Sequence, residues 1–142
     1  MQRYLVDAYG PEEHTMQIAV RMSVFLAFEL QCPVTILVDC MDSTSENQPL
    51  RDFFGSSFDT LIAERTVRFR KTEFRIIETD DIPAGSTIQI ALAAFASPRT
   101  LNMIESRDDT EAIVAVPWLE TDTVEWERRF NPKLVNKDAL QT

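Results

Sequence analysis

The sequence predicts a three-layer α/β/α sandwich with a mainly parallel sheet of about five strands, and three observations carry that prediction. Short continuous runs rich in Val and Ile occur at residues 33–38 and 112–116, the pattern of strands covered on both faces. Such runs alternate along the chain with segments of helical character. Two of the strand-like segments, in YLVDAYG and TILVDCMD, stop at an aspartate, Asp7 and Asp39, so acids stand where parallel strands would end.

Each element follows from local chemistry. Residues 3–6 suit a short strand, and Pro11 with Glu12 and Glu13 suits the first turn of a helix with its positive dipole end. That helix should run over residues 12–31. Its apolar residues cover nearly the whole circumference, more than the single stripe of a surface helix, so a second copy of the chain is expected to cover the surplus and make a homo-oligomer. The strand–helix–strand order of residues 3–38 predicts a crossover unit. Residues 40–49 are polar and turn-rich, and a helix is expected within residues 50–64, with Gly55 as its weak point.

Between residues 65 and 79 the apolar parity changes: Val67 and Phe69 share one parity, Phe74 and Ile76 the other. A bulge at Lys71 and Thr72 repairs this, and so does a hairpin pairing Phe69 with Phe74 and Val67 with Ile76. Residues 88–96 read as a strand, followed by a helix with Ser97 as N-cap and Pro98 at its first position. A last helix is expected from Thr121 or Asp122, with Asp122 and Glu125 at a capping-box spacing, to Asn131 and Pro132. Residues 1–132 form one α/β domain in this reading, of Rossmann-like or flavodoxin-like architecture, and residues 133–142 a polar tail.

Composition narrows the classes of function. The chain has 142 residues, 44% of them apolar and 26% charged, as in ordinary soluble domains, and a domain of about this size buries roughly 68–70% of its unfolded surface. A formal net charge of −9 argues against nucleic acid and anionic membrane as partners. The longest apolar stretch, residues 16–30, is interrupted by Gln17, Arg21 and Glu29 and is shorter than the ~20 residues of a membrane span. The N-terminus carries no secretory-signal pattern. Cys32 and Cys40 flank a strand that would hold them about 25 Å apart, too far for a disulfide, and free thiols fit a cytoplasmic location.

In an open parallel sheet, ligands bind outside the carboxyl ends of the strands, which selects the loops after Asp7, Asp39, Ser97 and Pro117. Asp7 and Asp39, with Asp42, have the oxygen chemistry to hold Mg²⁺, but aspartate in a turn also simply accepts backbone hydrogen bonds. Ser97, Arg99 and Thr100 at a helix N-terminus make the best candidate site for a small anion, with plain capping as the competing account. His14, the single histidine, suits a general base beside Asp7 or Asp39, and Trp118 a pocket mouth. With three glycines in the chain there is neither a dinucleotide fingerprint nor a P-loop, and no cofactor is assigned.

The expected function is therefore a self-associating α/β domain that binds a small anionic ligand, with a divalent-metal-dependent hydrolase or phosphotransfer enzyme as the alternative. A third reading uses the basic segment 65–75, with Arg65, Arg68, Arg70, Lys71 and Arg75, as a protein- or nucleic-acid-binding module, against a charged sheet edge that deters aggregation.

Overall fold

The computed structural model describes residues 1–6, 13–45, 47–95, 97–117 and 119–135, without the side chains of Glu13, His14 and Glu120. Among these residues seven strands form one sheet: β1 (Gln2–Val6), β2 (Val34–Val38), β3 (Thr66–Phe69), β4 (Thr72–Glu78), β5 (Ile90–Ala94), β6 (Ala112–Val116) and β7 (Lys133–Val135). Their spatial order is β3-β4-β2-β5-β6-β1-β7, parallel throughout except for β3, which runs antiparallel to β4 at one edge. The α/β class is as the sequence predicts, and the sheet is wider than about five strands. Part of the difference is β7, which adds to β1 from within the segment read as a polar tail, with Val135 buried.

Among the described residues, six helices flank the sheet: α1 (Glu13–Leu30), α2 (Met41–Thr44), α3 (Gln48–Phe54), α4 (Ser57–Glu64), α5 (Pro98–Glu105) and α6 (Val124–Phe130). The strand period of two sorts the core into two layers. Val34, Ile36 and Val38 of β2, with Phe74 and Ile76 of β4, pack under α1, α3 and α4. Leu37, Ala91, Ala93, Ile113 and Ala115 face the opposite side, under Leu101 and Ile104 of α5 and Trp126 of α6. All five residues of β2, β5 and β6 are buried, which accounts for their continuous apolar runs. Thr35, the polar exception in β2, is buried where its hydroxyl accepts an N–H from Arg75 at 2.9 Å.

Local sequence fixes several junctions. α1 stops at Gln31, which takes the left-handed conformation (φ 56°), and the Cys32 N–H returns to the Ala27 carbonyl, a Schellman-type ending. The helix expected within residues 50–64 is two helices, because Gly55 (φ 58°, ψ −134°) adopts a conformation that L side chains avoid and turns the chain between α3 and α4. The segment after α4 is a hairpin, in a register different from the expected one: Val67 pairs with Phe74 and Phe69 with Thr72. Arg70 and Lys71 form the two-residue loop, both at positive φ (49° and 67°), so the parity change falls at the loop rather than at a bulge. Four phenylalanines close this end of the core, with Phe54 within 5.1–5.2 Å, centroid to centroid, of Phe53, Phe69 and Phe74.

The crossover from β1 to β2 does not join neighbouring strands. β5 and β6 lie between them, and α1 packs across both. At the last helix, the expected Asp122–Glu125 box is replaced by a 3-10 turn at Glu120–Asp122 in which the Asp122 carboxylate accepts the Leu119 N–H, and α6 starts at Val124.

Candidate functional site

β2 and β5 are hydrogen-bonded neighbours whose chains leave in opposite directions. After β2 the chain passes to α3 and α4 on one face, and after β5 to α5 on the other. Connections that diverge from adjacent parallel strands leave a crevice at their carboxyl ends. In this protein the crevice measures about 540 Å³ and is lined by Val38, Asp39, Cys40, Ser43, Thr44, Asn47, Gln48, Pro49, Ala94 and Phe95.

Asp39 is the organising residue of the crevice. Its Oδ2 accepts the Ser97 backbone N–H at 3.0 Å. Its Oδ1 takes the Thr100 hydroxyl at 2.6 Å, the Ser97 hydroxyl at 3.2 Å and a second, longer approach of the Ser97 N–H at 3.3 Å. Thr100 Oγ1 lies 2.7 Å from Thr79 Oγ1, which in turn donates to the Val38 carbonyl at 3.0 Å. This buried hydroxyl chain ties the ends of β2 and β4 to the first turn of α5.

Ser97 holds the N-cap position of α5, but its side chain does not cap the helix: the hydroxyl is turned to Asp39. The carboxylate that completes the helix start is thus supplied by a strand end 58 residues earlier. Arg99 pairs with the Asp80 carboxylate at the surface. The three residues read as an anion site are brought together, and each meets a carboxylate of the protein itself.

Asp42 takes a different place. It is exposed on the single turn of α2 and lines a neighbouring cleft of about 430 Å³ with Glu78, Asp81 and Arg65, on the β4 side of β2. Glu78 accepts the Met41 N–H at 2.9 Å and so anchors α2 over the strand ends. Asp7, Trp118 and the side chain of His14 lie outside the described residues. Among the described residues, no group of three or more His, Cys, Asp or Glu side chains is placed to hold a metal ion.

Sequence reasoning missed Ser43, Asn47, Gln48 and Phe95 as lining residues. Phe95, directly after β5, takes φ 52°, a conformation that L residues rarely adopt and that no local sequence pattern announces. The two thiols differ: Cys40 is exposed in the crevice, whereas Cys32 is half-buried at the far end of β2, where burial, and then the charge of Glu111, push its pKa up. The chain matches no protein-family model, no curated protein and no solved structure, so its function is argued from this geometry.

Proposed function

We propose that the chain is a small-ligand-binding α/β module that works as a self-associated cytoplasmic protein. The observation that carries the ligand reading is the crevice of about 540 Å³ between the carboxyl ends of β2 and β5, with a fixed carboxylate in its wall. Among the described residues, Asp39 Oδ1 is crowded with donors, whereas Oδ2 accepts one N–H at 3.0 Å. A ligand that donates a hydrogen bond, through a hydroxyl or an amine, complements that oxygen. An anion would meet the Asp39 charge at the helix end where sequence alone expects anion binding, so a neutral or cationic polar molecule is the better match. Ala94, Phe95 and Pro49 supply an apolar wall for the remainder of such a ligand.

Self-association is supported by Phe25 and Phe28, which are 56% and 60% exposed on α1, whose other large apolar side chains are buried or half-buried. The cytoplasmic reading rests on two unbridged cysteines. Among the described residues, no helix is long and apolar enough to cross a membrane.

Thermal shift with nucleosides, sugars, amino sugars, polyamines and inorganic phosphate tests the site. A ligand at a hundredfold excess over its Kd should stabilise the fold by about 2.7 kcal/mol. Ser43→Trp, which fills the crevice from an exposed position, should abolish the shift and leave the unliganded midpoint unchanged. A shift that survives Ser43→Trp, or no shift with any compound, would remove the crevice reading.

A further inference from the structure

We propose that the cleft between the turn after α1 and the tip of the β3–β4 hairpin binds a small organic dianion, held by Arg68 and Lys71. The way β4 meets β2 opens this cleft. β4 starts at Thr72 but pairs with β2 only from Phe74, opposite Val34, so Thr72 and Glu73 overhang the first residue of β2. Pro33, directly before β2, has no N–H with which to extend the ladder. The overhang leaves a cleft of about 290 Å³ whose walls include Phe28, Cys32, Pro33, Arg68, Lys71 and Glu73. It lies at the amino ends of β2 and β4, whereas the Asp39 crevice lies at the carboxyl ends of β2 and β5, so the two sites stand or fall separately.

The cations of the hairpin segment divide into engaged and free ones. Arg75 donates to the Thr35 hydroxyl and the Thr87 carbonyl, and Arg70 lies over Phe53 and Phe69. Among the described residues, the side chains of Arg68 and Lys71 have no ion pair, hydrogen bond or ring contact, and both are exposed on the cleft wall. Arg68 stands across from Glu73 in the hairpin register, yet the two do not close an ion pair. Glu73 Oε1 instead leans to the Thr66 hydroxyl at 3.5 Å, on the side away from the loop. Two uncompensated cations thus face one cleft.

Charge decides the class of ligand. Residues 65–75 hold five cations and one acid in a chain of net charge −9, so an anion repelled by the rest of the surface meets a favourable field here. Arg68 offers forked donors that match a carboxylate or phosphate, and Lys71 a mobile ammonium for the second charge. The volume stands at the lower end of ligand pockets, ~300–1,000 Å³, which limits the guest to a small molecule. Phe28 and Pro33 give its carbon part an apolar contact. Short dicarboxylates and phosphate monoesters share this chemistry.

Amide NMR shifts of the isotope-labelled full chain, titrated with succinate and separately with phenyl phosphate, test the site against sodium chloride of equal ionic strength. The Cys32, Arg68 and Thr72 amides should move along a saturating curve that sodium chloride does not reproduce. The compound that saturates at lower concentration identifies carboxylate or phosphate as the preferred group. Arg68→Gln and Lys71→Gln should each weaken binding about fivefold, and Glu73→Gln should tighten it about threefold. All three positions are exposed, and a gain from Glu73→Gln cannot arise from misfolding. Shifts that do not saturate, that sodium chloride reproduces, that centre on Ser43 and Asn47 instead, or that ignore all three substitutions would overturn the site.

Discussion

Glu105 shows how a few residues pin this fold. Its side chain is only 9% exposed, and it accepts a bidentate contact from Arg3 (2.8 Å to each oxygen) and the Trp126 indole N–H at 2.8 Å, while Arg3 also stacks over Phe130 at 4.5 Å. Burial alone would raise its pKa; the bonds from Arg3 and Trp126 and the nearby positive charges outweigh that and hold it below the usual glutamate range. A depressed carboxylate pKa contributes stability that is complete above the unfolded-state value and is lost as pH falls through the folded one. Glu105→Gln should therefore cost about 1–3 kcal/mol at neutral pH, and urea midpoints of variant and parent should converge below about pH 4. Asp39→Ala should cost about 1–2 kcal/mol and expose the first amides of α5 to hydrogen exchange, since Ser97 and Thr100 lose their common acceptor. Asp39 as a strand-end acid was legible from LVD, but its partners 58 and 61 residues away were not.

Among the described residues, the β3–β4 hairpin is where two successive non-glycine residues take positive φ. Arg70 and Lys71 occupy a two-residue loop that favours glycine or asparagine, both with positive φ. Arg70 gains a compensating contact, its guanidinium lying 5.0 Å from the centroid of Phe69 and 5.3 Å from that of Phe53. Among the described residues no such contact holds Lys71, so Lys71→Gly should raise stability by about 0.5–1 kcal/mol in a denaturant titration. The sequence signalled that residues 65–79 could not be one regular strand, because the apolar parity changes at their middle. It did not reveal the register, because the usual turn residues are missing and phenylalanines at several positions allow more than one pairing. α1 poses the complementary case: its surplus of apolar residues was visible, whereas which of them stay uncovered depended on how the helix lies across β5 and β6.

At the scale of the molecule, β7 forms one edge of the sheet among the described residues. Leu134 pairs with Leu5 and Val135 with Val6, and Val135 is 3% exposed. A chain ending at residue 132 should lose this edge, unfold at lower temperature by several degrees, and show faster hydrogen exchange in β1. The three-residue strand carries almost no periodic signal, so it could not be read from the sequence; pairing with a preformed β1 is what orders it.

The sequence by itself determined the α/β class, the doubly covered central strands and the acid at the end of β2, because these follow from backbone periodicity and burial within a few residues. Tertiary structure alone decided the strand order, the insertion of β5 and β6 between β1 and β2, and hence which loops meet at the crevice. It also decided that the N-terminus of α5 receives the protein's own Asp39. The physical reason is range: periodicity records which face of an element is buried, but neither the neighbour that buries it nor the distant group that satisfies a hydrogen bond.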